Sequence, residues 1–467
     1  MNIVRVVFEE FLQVADKLLG LLDGEWDYPT FVEHVERLLN DLGKNICREA
    51  LEAADDWLKD NPKERQGWTV VRRDPKSLLT PFGEVHYQRR YYHNRKTGAY
   101  AYLLDQAIGV TPHERIDSLM KTRLVDAATD VSYRKAGKQG TYGSSPEDAV
   151  SGQTVMNVIR ETFSTASPTS SRSNGRKIQT RYLHVQADED HIKKQDGGTA
   201  LAKLVYTTDG YGRDWGERRA LNNVHYIAGV YRDNEVLYQE VYENIDGNYD
   251  IDSIEKIYVY GDGAPWIRGL AEYLGAVFVL DKYHINKCIT ESLGFCPELR
   301  SELLQAVKDF DLKAVKSILG KARKAAMTEN EKQRVAQCRR YLVGNWDGII
   351  AWKEEAPYVI GCSAEGHVSH VLSSRLSSRP MGWSERGADQ MAKLRAMKAN
   401  GLSIKKHILH RTKFSTTLSI AIKAALPAQR ERLRKVSGEV LGNMPVMNGS
   451  STYTRRLLKQ LSAITII

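Results

Sequence analysis

The sequence predicts a multidomain α/β chain: a mixed sheet covered by helices, split by an all-helical block and preceded by helical and β-rich modules. Three observations predict it. Apolar, β-branched runs at residues 182–187, 202–207, 224–231, 257–260 and 276–280 come first as consecutive strands and then alternate with a helical stretch at 265–274, the pattern of a mixed sheet with helices on its faces. Residues 297–353 carry no strand signal, only Leu303, Leu304, Val307, Phe310, Leu312, Val315, Ile318 and Leu319 at near-helical spacing. At 467 residues the chain is also too long for one small core, and its length suits about three domains.

Residues 1–66 read as a helical module. Phe8, Phe11, Leu12, Ala15, Leu18, Leu19 and Leu22 follow the helical period, and Thr30 with Glu33 resembles a capping box ahead of Val35, Leu38, Leu39, Leu42 and Ile46. Residues 67–115 form a β-rich module, with strands at 69–72 and 84–92 on either side of a Pro81-Phe-Gly83 turn. Residues 116–163 return to helix. At their end Val155, Val158 and Ile159 point one way and Gln153, Asn157 and Arg160 the other. The second helix of a helix-turn-helix looks like this, and so does any short amphipathic helix. Residues 164–177 are small and polar and end in the basic pair Arg176-Lys177, a linker able to touch phosphate. The α/β domain spans 178–296 and 359–402, with the helical insertion at 297–358. Residues 403–467 form a basic helical tail.

A formal charge of +9 and a pI near 9.0 favour a polyanionic partner, although 58 acidic residues are interspersed among 67 basic ones. The N-terminal apolar run is broken by Glu9 and Glu10, unlike a secretory signal. The apolar run at 274–280 is far short of the ~20 residues that cross a bilayer. Five cysteines, odd in number and without close pairs, suit a reducing compartment and cannot build a zinc ribbon. A cytoplasmic protein, associated with the nucleoid when bound to DNA, is the expectation.

Three acids stand in distinctive settings: Asp188 in Val185-Gln-Ala-Asp-Glu-Asp-His191, Asp262 in Ile257-Tyr-Val-Tyr-Gly-Asp-Gly263 and Glu365 in Gly361-Cys-Ser-Ala-Glu-Gly-His367. The first two end strand-like runs, and the third opens a helix for which Ser363 is a good N-cap. Taken singly, each fits a turn or first-turn role. Together, two strand-end aspartates and a glutamate on a later helix can hold paired divalent cations at a ribonuclease-H-like nucleotidyl-transfer site. Period-two alternation puts Asp188 and Asp190 on one face, so either could be the first ligand. Asp281 and His284 form an Asp-x-x-His that could be a metal pair or a helix-start hydrogen bond. His367 and His370 could reach metal or scissile phosphate, or pack. Arg375, Arg379 and Trp383 offer guanidinium forks for phosphate and an indole for base stacking, and a structural tryptophan is an equal reading.

The stretches Ala187-Asp-Glu-Asp-His-Ile192, Val259-Tyr-Gly-Asp-Gly-Ala-Pro-Trp-Ile267, Val279-Leu-Asp-Lys-Tyr-His-Ile-Asn-Lys287, Cys362-Ser-Ala-Glu-Gly-His-Val-Ser-His370 and Arg379-Pro-Met-Gly-Trp-Ser-Glu-Arg-Gly-Ala388 together resemble one family, the Lre-two type of bacterial insertion-sequence transposase. The resemblance covers nearly the whole chain. It implies a DDE transposase with a ribonuclease-H-like core, Mg²⁺ or Mn²⁺ held by Asp188, Asp262 and Glu365, and double-stranded DNA, as element ends and target, for a partner. It also implies a homo-oligomer, at least a dimer when two ends are synapsed. Asp281-x-x-His284 is similar to the signature that Mutator-like transposases carry before their glutamate. Two other outcomes share these residues: a non-mobile DNA-binding derivative, and a nuclease without strand transfer.

Overall fold

The structure is a computed structural model and describes residues 13, 27–141, 149–163, 177–212, 220–379 and 381–411. The helical period expected over residues 8–22, the linker through Arg176 and the basic tail beyond residue 411 lie outside the described residues. The chain divides into two compact units, one of residues 1–128, 132–155 and 405–467, the other of 129–131 and 156–404.

In the first unit, α1 (Tyr28–Asp60) is a single 33-residue helix. Its cap differs from the expected Thr30–Glu33 box: Asp27 is the N-cap and accepts the Thr30 amide at 2.9 Å. Pro29 in the first turn explains this, since its fixed φ suits a helix that has already begun. β1 (Trp68–Thr80) and β2 (Gly83–Asn94) form a long antiparallel hairpin, joined by the short β3 (Tyr100–Ala101). β1 runs well past the predicted residue 72, through Pro75, which an edge strand tolerates. Leu58, Val85, Tyr87, Tyr92, Leu103 and Leu104 close the core between α1, the hairpin and α2 (Leu103–Ile108). The fully buried Asp55 is satisfied there by Arg90, whose guanidinium lies 2.6 Å away and whose amide lies 3.0 Å away. The helices α3 (Ser118–Asp130) and α4 (Tyr133–Gly140) follow, and α5 (Gly152–Thr162) belongs to this unit only through Val155, its remainder counting to the second.

The second unit is built on a five-stranded sheet in the order β6-β5-β4-β7-β8. The strands are β4 (Tyr182–Lys193), β5 (Thr199–Thr208), β6 (His225–Gly229), β7 (Lys256–Gly261) and β8 (Val277–Leu280). β4 to β6 are antiparallel, whereas β7 and β8 run parallel to β4, as the predicted mixed sheet requires. β4 departs from expectation in length. It continues past residue 187 because β5 pairs with it from His184↔Thr208 to Lys193↔Thr199, so Asp188 stands inside the strand and not at its end. β7 pairs with β4 no further than Gln186↔Tyr260.

The two faces of this sheet differ. Leu183, Val185, Ala187, Val205, Val259 and Leu280 enter one large apolar core. α6 (Asn234–Asn248), α7 (Pro265–Tyr273) and α8 (Lys282–Ser292) contribute to it, as do the consecutive helices α9 (Pro297–Lys308), α10 (Leu312–Ala325), α11 (Glu329–Gly344) and α12 (Trp346–Glu354). Asp311 caps α10, and a Thr328–Glu331 capping box opens α11. The alternate positions of β4 are His184, Gln186 and Asp188, all buried. They share their face with Tyr258 and Tyr260, which pack with Val279 and Ala351. Across it run residues 359–363 and then α13 (Ala364–Val368), a π-helical turn (Ser369–Ser373), α14 (Ser374–Leu376) and α15 (Glu385–Ala399). α16 (Ile404–Arg411) ends the described chain. No described helix is long and apolar enough to cross a membrane.

Candidate metal centre

Asp188 within β4, the turn that follows β7, the start of α8 after β8, and the start of α13 supply the acids and histidine of the site. Asp188 is 6% exposed. Its Oδ1 accepts the Glu189 amide at 2.8 Å, and its Oδ2 is buried with no hydrogen-bond partner. A buried carboxylate oxygen left unpaired is costly, and a cation is what such an oxygen suits. Asp188, His284 and Glu365 each offer a ligand atom, and these atoms lie within 4.8 Å of one another. Burial pushes the Asp188 carboxyl up to about 7, and the charges of Glu365 and Asp262 push the same way, against the pull of His284 and the Glu189 amide. A carboxyl that burial and acidic neighbours hold back from ionising is one that a nearby positive charge would favour.

Asp262 follows β7 directly. Its Oδ1 accepts the Ala264 amide at 2.8 Å, and its carbonyl accepts the Tyr341 hydroxyl at 2.7 Å. It lies outside the tight trio but close enough for its charge to act on both Asp188 and His284. The close set therefore differs from three carboxylates: His284 takes the third place. Of the two readings open to it from sequence, Asp281 makes the helix-start hydrogen bond, and it also contacts His284. It caps α8 through the Tyr283 amide at 3.1 Å, and its Oδ2 lies 2.8 Å from His284 Nδ1. That hydrogen bond raises the His284 pKa, helped by the charges of Asp188 and Asp262 against the opposing effect of burial. With Nδ1 engaged, Nε2 is the nitrogen left for a cation, the usual carboxylate–histidine–metal pattern. Oxygen donors with one imidazole suit Mg²⁺ or, better, Mn²⁺.

Glu365 is exposed at the start of the five-residue α13. Ser363 precedes this helix but makes no side-chain cap. Its hydroxyl lies 2.9 Å from the Tyr206 hydroxyl instead, because the segment is tied to the sheet rather than to its own helix. Asp190 is also buried with an unpartnered Oδ2, yet it is not part of the trio.

The remaining predicted residues separate. His367 stacks on Tyr206 at 4.3 Å and its Nδ1 lies 2.7 Å from the Tyr226 hydroxyl; burial lowers its pKa. It packs, whereas His370 is exposed. Trp383 departs from a stacking platform: it is 5% exposed, its indole N–H donates to the Leu376 carbonyl at 3.0 Å, and the Arg375 guanidinium lies 4.8 Å from its ring. Arg375, 3% exposed, is turned inward with it and is not presented to phosphate. Arg379 is exposed. On α5, Gln153 and Asn157 are exposed, Arg160 is half-buried, and Val155, Val158 and Ile159 are buried. Lys177 pairs with Asp246 at 3.0 Å, and Arg176 lies outside the described residues. Gln186 and Tyr206 of the same face were not singled out in the sequence. A buried glutamine in the middle of an apolar strand was the available signal.

Residues 24–413 match a family described as an uncharacterised protein family, UPF0236. A UPF0236 protein of Caldanaerobacter subterraneus subsp. tengcongensis is 36% identical over 455 residues, covering 96% of this chain and 94% of its own, and its name joins eleven locus labels. A second from that organism is 35% identical over 458 residues, 97% of this chain and 96% of its own, and joins four. A UPF0236 protein from the region 3′ of vanSb in Streptococcus gallolyticus is 24% identical over 348 residues, 72% of this chain and 75% of its own. Relatives of this chain thus stand in many copies in one genome. On the length of the match and the identity to relatives that it spans almost end to end, the chain belongs to the UPF0236 family.

Proposed function

We propose that this chain is a divalent-metal-dependent DNA transposase that cleaves the ends of its own element and joins them to target DNA. The observation that carries the reading is the Asp188–His284–Glu365 cluster, running from a buried aspartate to an exposed glutamate, with Asp262 in Coulombic reach. The five-stranded sheet, antiparallel then parallel, supports a ribonuclease-H-like core, with α9 to α12 as its helical insertion. The many loci of the Caldanaerobacter relatives support a mobile element, since transposition multiplies its own gene. The net charge of +9 supports a DNA partner.

In this reading Asp188 and Glu365 would hold one cation with His284, and Asp262 would supply a carboxylate for a second. Divalent cations contribute Lewis-acid charge at the scissile phosphate and make water a better nucleophile. Asp281 orients the His284 ring, and the sheet face keeps Asp188 away from bulk water. Water attacks the phosphorus at the element's end, and the bond to the leaving 3′-oxygen breaks to free a 3′-hydroxyl. That hydroxyl loses its proton to solvent and attacks a phosphodiester of target DNA, and the bond from that phosphorus to the target's own 3′-oxygen breaks, leaving a 3′-hydroxyl on the target strand. The test is to incubate the purified chain with labelled DNA from both flanks of its gene, target DNA and Mg²⁺ or Mn²⁺. Nicked and joined products are expected, and DNA left intact would refute the reading.

A further inference from the structure

Gln186 is fully buried in the middle of β4, where its backbone already lies between Tyr206 of β5 and Tyr260 of β7. Its side chain serves a distant segment. The amide nitrogen donates to the Gly361 carbonyl at 3.0 Å, across 175 residues of sequence, and the amide oxygen accepts the Ser363 amide at 2.7 Å. A side-chain amide that binds alternate residues of one extended segment imitates a neighbouring strand. The Tyr206 hydroxyl also donates to the Gln186 oxygen, which orients the amide. Tyr260 receives the Ile360 amide at 3.1 Å, and Tyr211 receives the Gly361 amide at 3.1 Å. Residues 355–363 belong to no helix or strand, so these bonds fix where the segment lies. Gln186 stands two residues before Asp188, and Ser363 stands two before Glu365. A methionine would fill the same volume without burying an amide, whose desolvation must be offset by the bonds it makes.

We infer that Gln186 is the positioning residue of the metal centre: its side-chain amide sets the register between the Glu365 segment and β4, so that Glu365 reaches the cation Asp188 holds. This rests on the reading of the trio as a metal site. Side chains that orient a ligand without touching the metal typically change affinity by about 10–100-fold, and here the effect acts through Glu365 alone.

The test is a Mn²⁺ titration of the full chain, following free Mn²⁺ by electron paramagnetic resonance, with wild type, Gln186→Met, Glu365→Ala and the double variant. Gln186→Met should weaken Mn²⁺ binding by about tenfold or more in the wild-type background. In the Glu365→Ala background it should weaken it by less than about twofold, because coupled residues are not additive. A merely structural role predicts equal losses in both backgrounds, and that result would overturn the inference. Unchanged affinity in Gln186→Met would overturn it too while leaving the metal centre intact. Failure of the wild type to bind Mn²⁺ would remove the centre itself, and the inference with it. Gln186→Asn, one methylene too short to span Gly361 and Ser363, replaces the methionine variant if that one does not fold.

Discussion

Gln186 and Tyr260 are paired across the parallel β4–β7 ladder, and Asp188 and Asp262 each stand two residues further on. The sheet thus delivers two acids from neighbouring strands at one level, on rigid backbone. Glu365 arrives at the same place from a segment bound to that sheet face. Because Asp188 is pushed up to about 7 by burial and by its acidic neighbours, it is substantially protonated at neutral pH, and a bound cation must drive that proton off. Mn²⁺ binding near pH 6.5 should release protons from both Asp188 and His284, whose raised pKa also leaves it largely protonated there. Calorimetry in buffers of different ionisation enthalpy reads this directly; Asp188→Ala should lower the release, and an undiminished release would assign the protons to other groups.

His284 should give the centre its metal preference. An imidazole ligand favours Mn²⁺ over Mg²⁺, which prefers oxygen. His284→Ala is expected to narrow the difference between the two affinities, and Asp281→Asn to cost about tenfold in Mn²⁺ affinity with the preference retained. Competition titrations decide between this and a histidine that only packs, whose removal would leave the ratio unchanged.

Trp383 and Arg375 should matter to folding and not to DNA. Trp383→Ala removes a buried indole and leaves the Arg375 guanidinium without its ring, a loss of about 3–5 kcal/mol by denaturant unfolding. The salt dependence of DNA binding should stay as in wild type. The exposed Arg379 is the contrast: Arg379→Ala should leave stability unchanged and flatten the salt slope by about one phosphate contact. Equal slopes in all three proteins would place Arg379 away from DNA.

His184 supplies a pH dependence of stability. Burial holds its pKa down at about 4, and its Nδ1 lies 2.9 Å from the Tyr260 hydroxyl. Unfolded, it titrates near 6.5. Between those values the unfolded chain binds the proton, so this contribution is complete above about pH 6.5 and is lost as pH falls toward 4, by up to about 1.4 kcal/mol per pH unit. Asp188 acts oppositely over an overlapping range, since its raised pKa makes the metal-free fold less stable as pH rises toward 7. The readout is therefore the difference in unfolding free energy between wild type and His184→Gln, which should shrink by about 3 kcal/mol from pH 6.5 to 4. A pH-independent difference would mean that His184 is protonated within the fold.

What the sequence displayed was the sheet. Leu183, Val185 and Ala187 alternate with His184, Gln186 and Asp188, and that period puts the polar set on one face. The length of β4 was hidden because residues 189–193 are mostly polar and read as a turn, whereas pairing with β5 holds them as strand. The cap at Asp27 was masked by a plausible Thr30–Glu33 pair one turn later. The approach of Glu365 to Asp188 rests on hydrogen bonds spanning 175 and 177 residues, which no local pattern encodes. The inward turn of Trp383 is likewise a tertiary choice, because the same Arg-x-x-x-Arg and tryptophan would serve an exposed surface equally well.

The measurement that bears most directly on the centre is metal-dependent strand cleavage by single alanine variants. DNA from the flanks of the gene, labelled at one end, is incubated in Mn²⁺ with wild type, Asp188→Ala, Asp262→Ala and Glu365→Ala, with Asp190→Ala, on the same strand, and Asp209→Ala, beyond the far end of the β4–β5 pairing, as acids outside the set. We expect each of the first three variants to lose at least ~10³-fold in cleavage rate, about 4 kcal/mol of barrier, while retaining wild-type circular dichroism and DNA affinity. The two comparison variants should cleave within a few-fold of wild type. Cleavage at the wild-type rate by Asp188→Ala, Asp262→Ala and Glu365→Ala would contradict the assignment of these residues as metal-holding acids and, with it, the transposase reading.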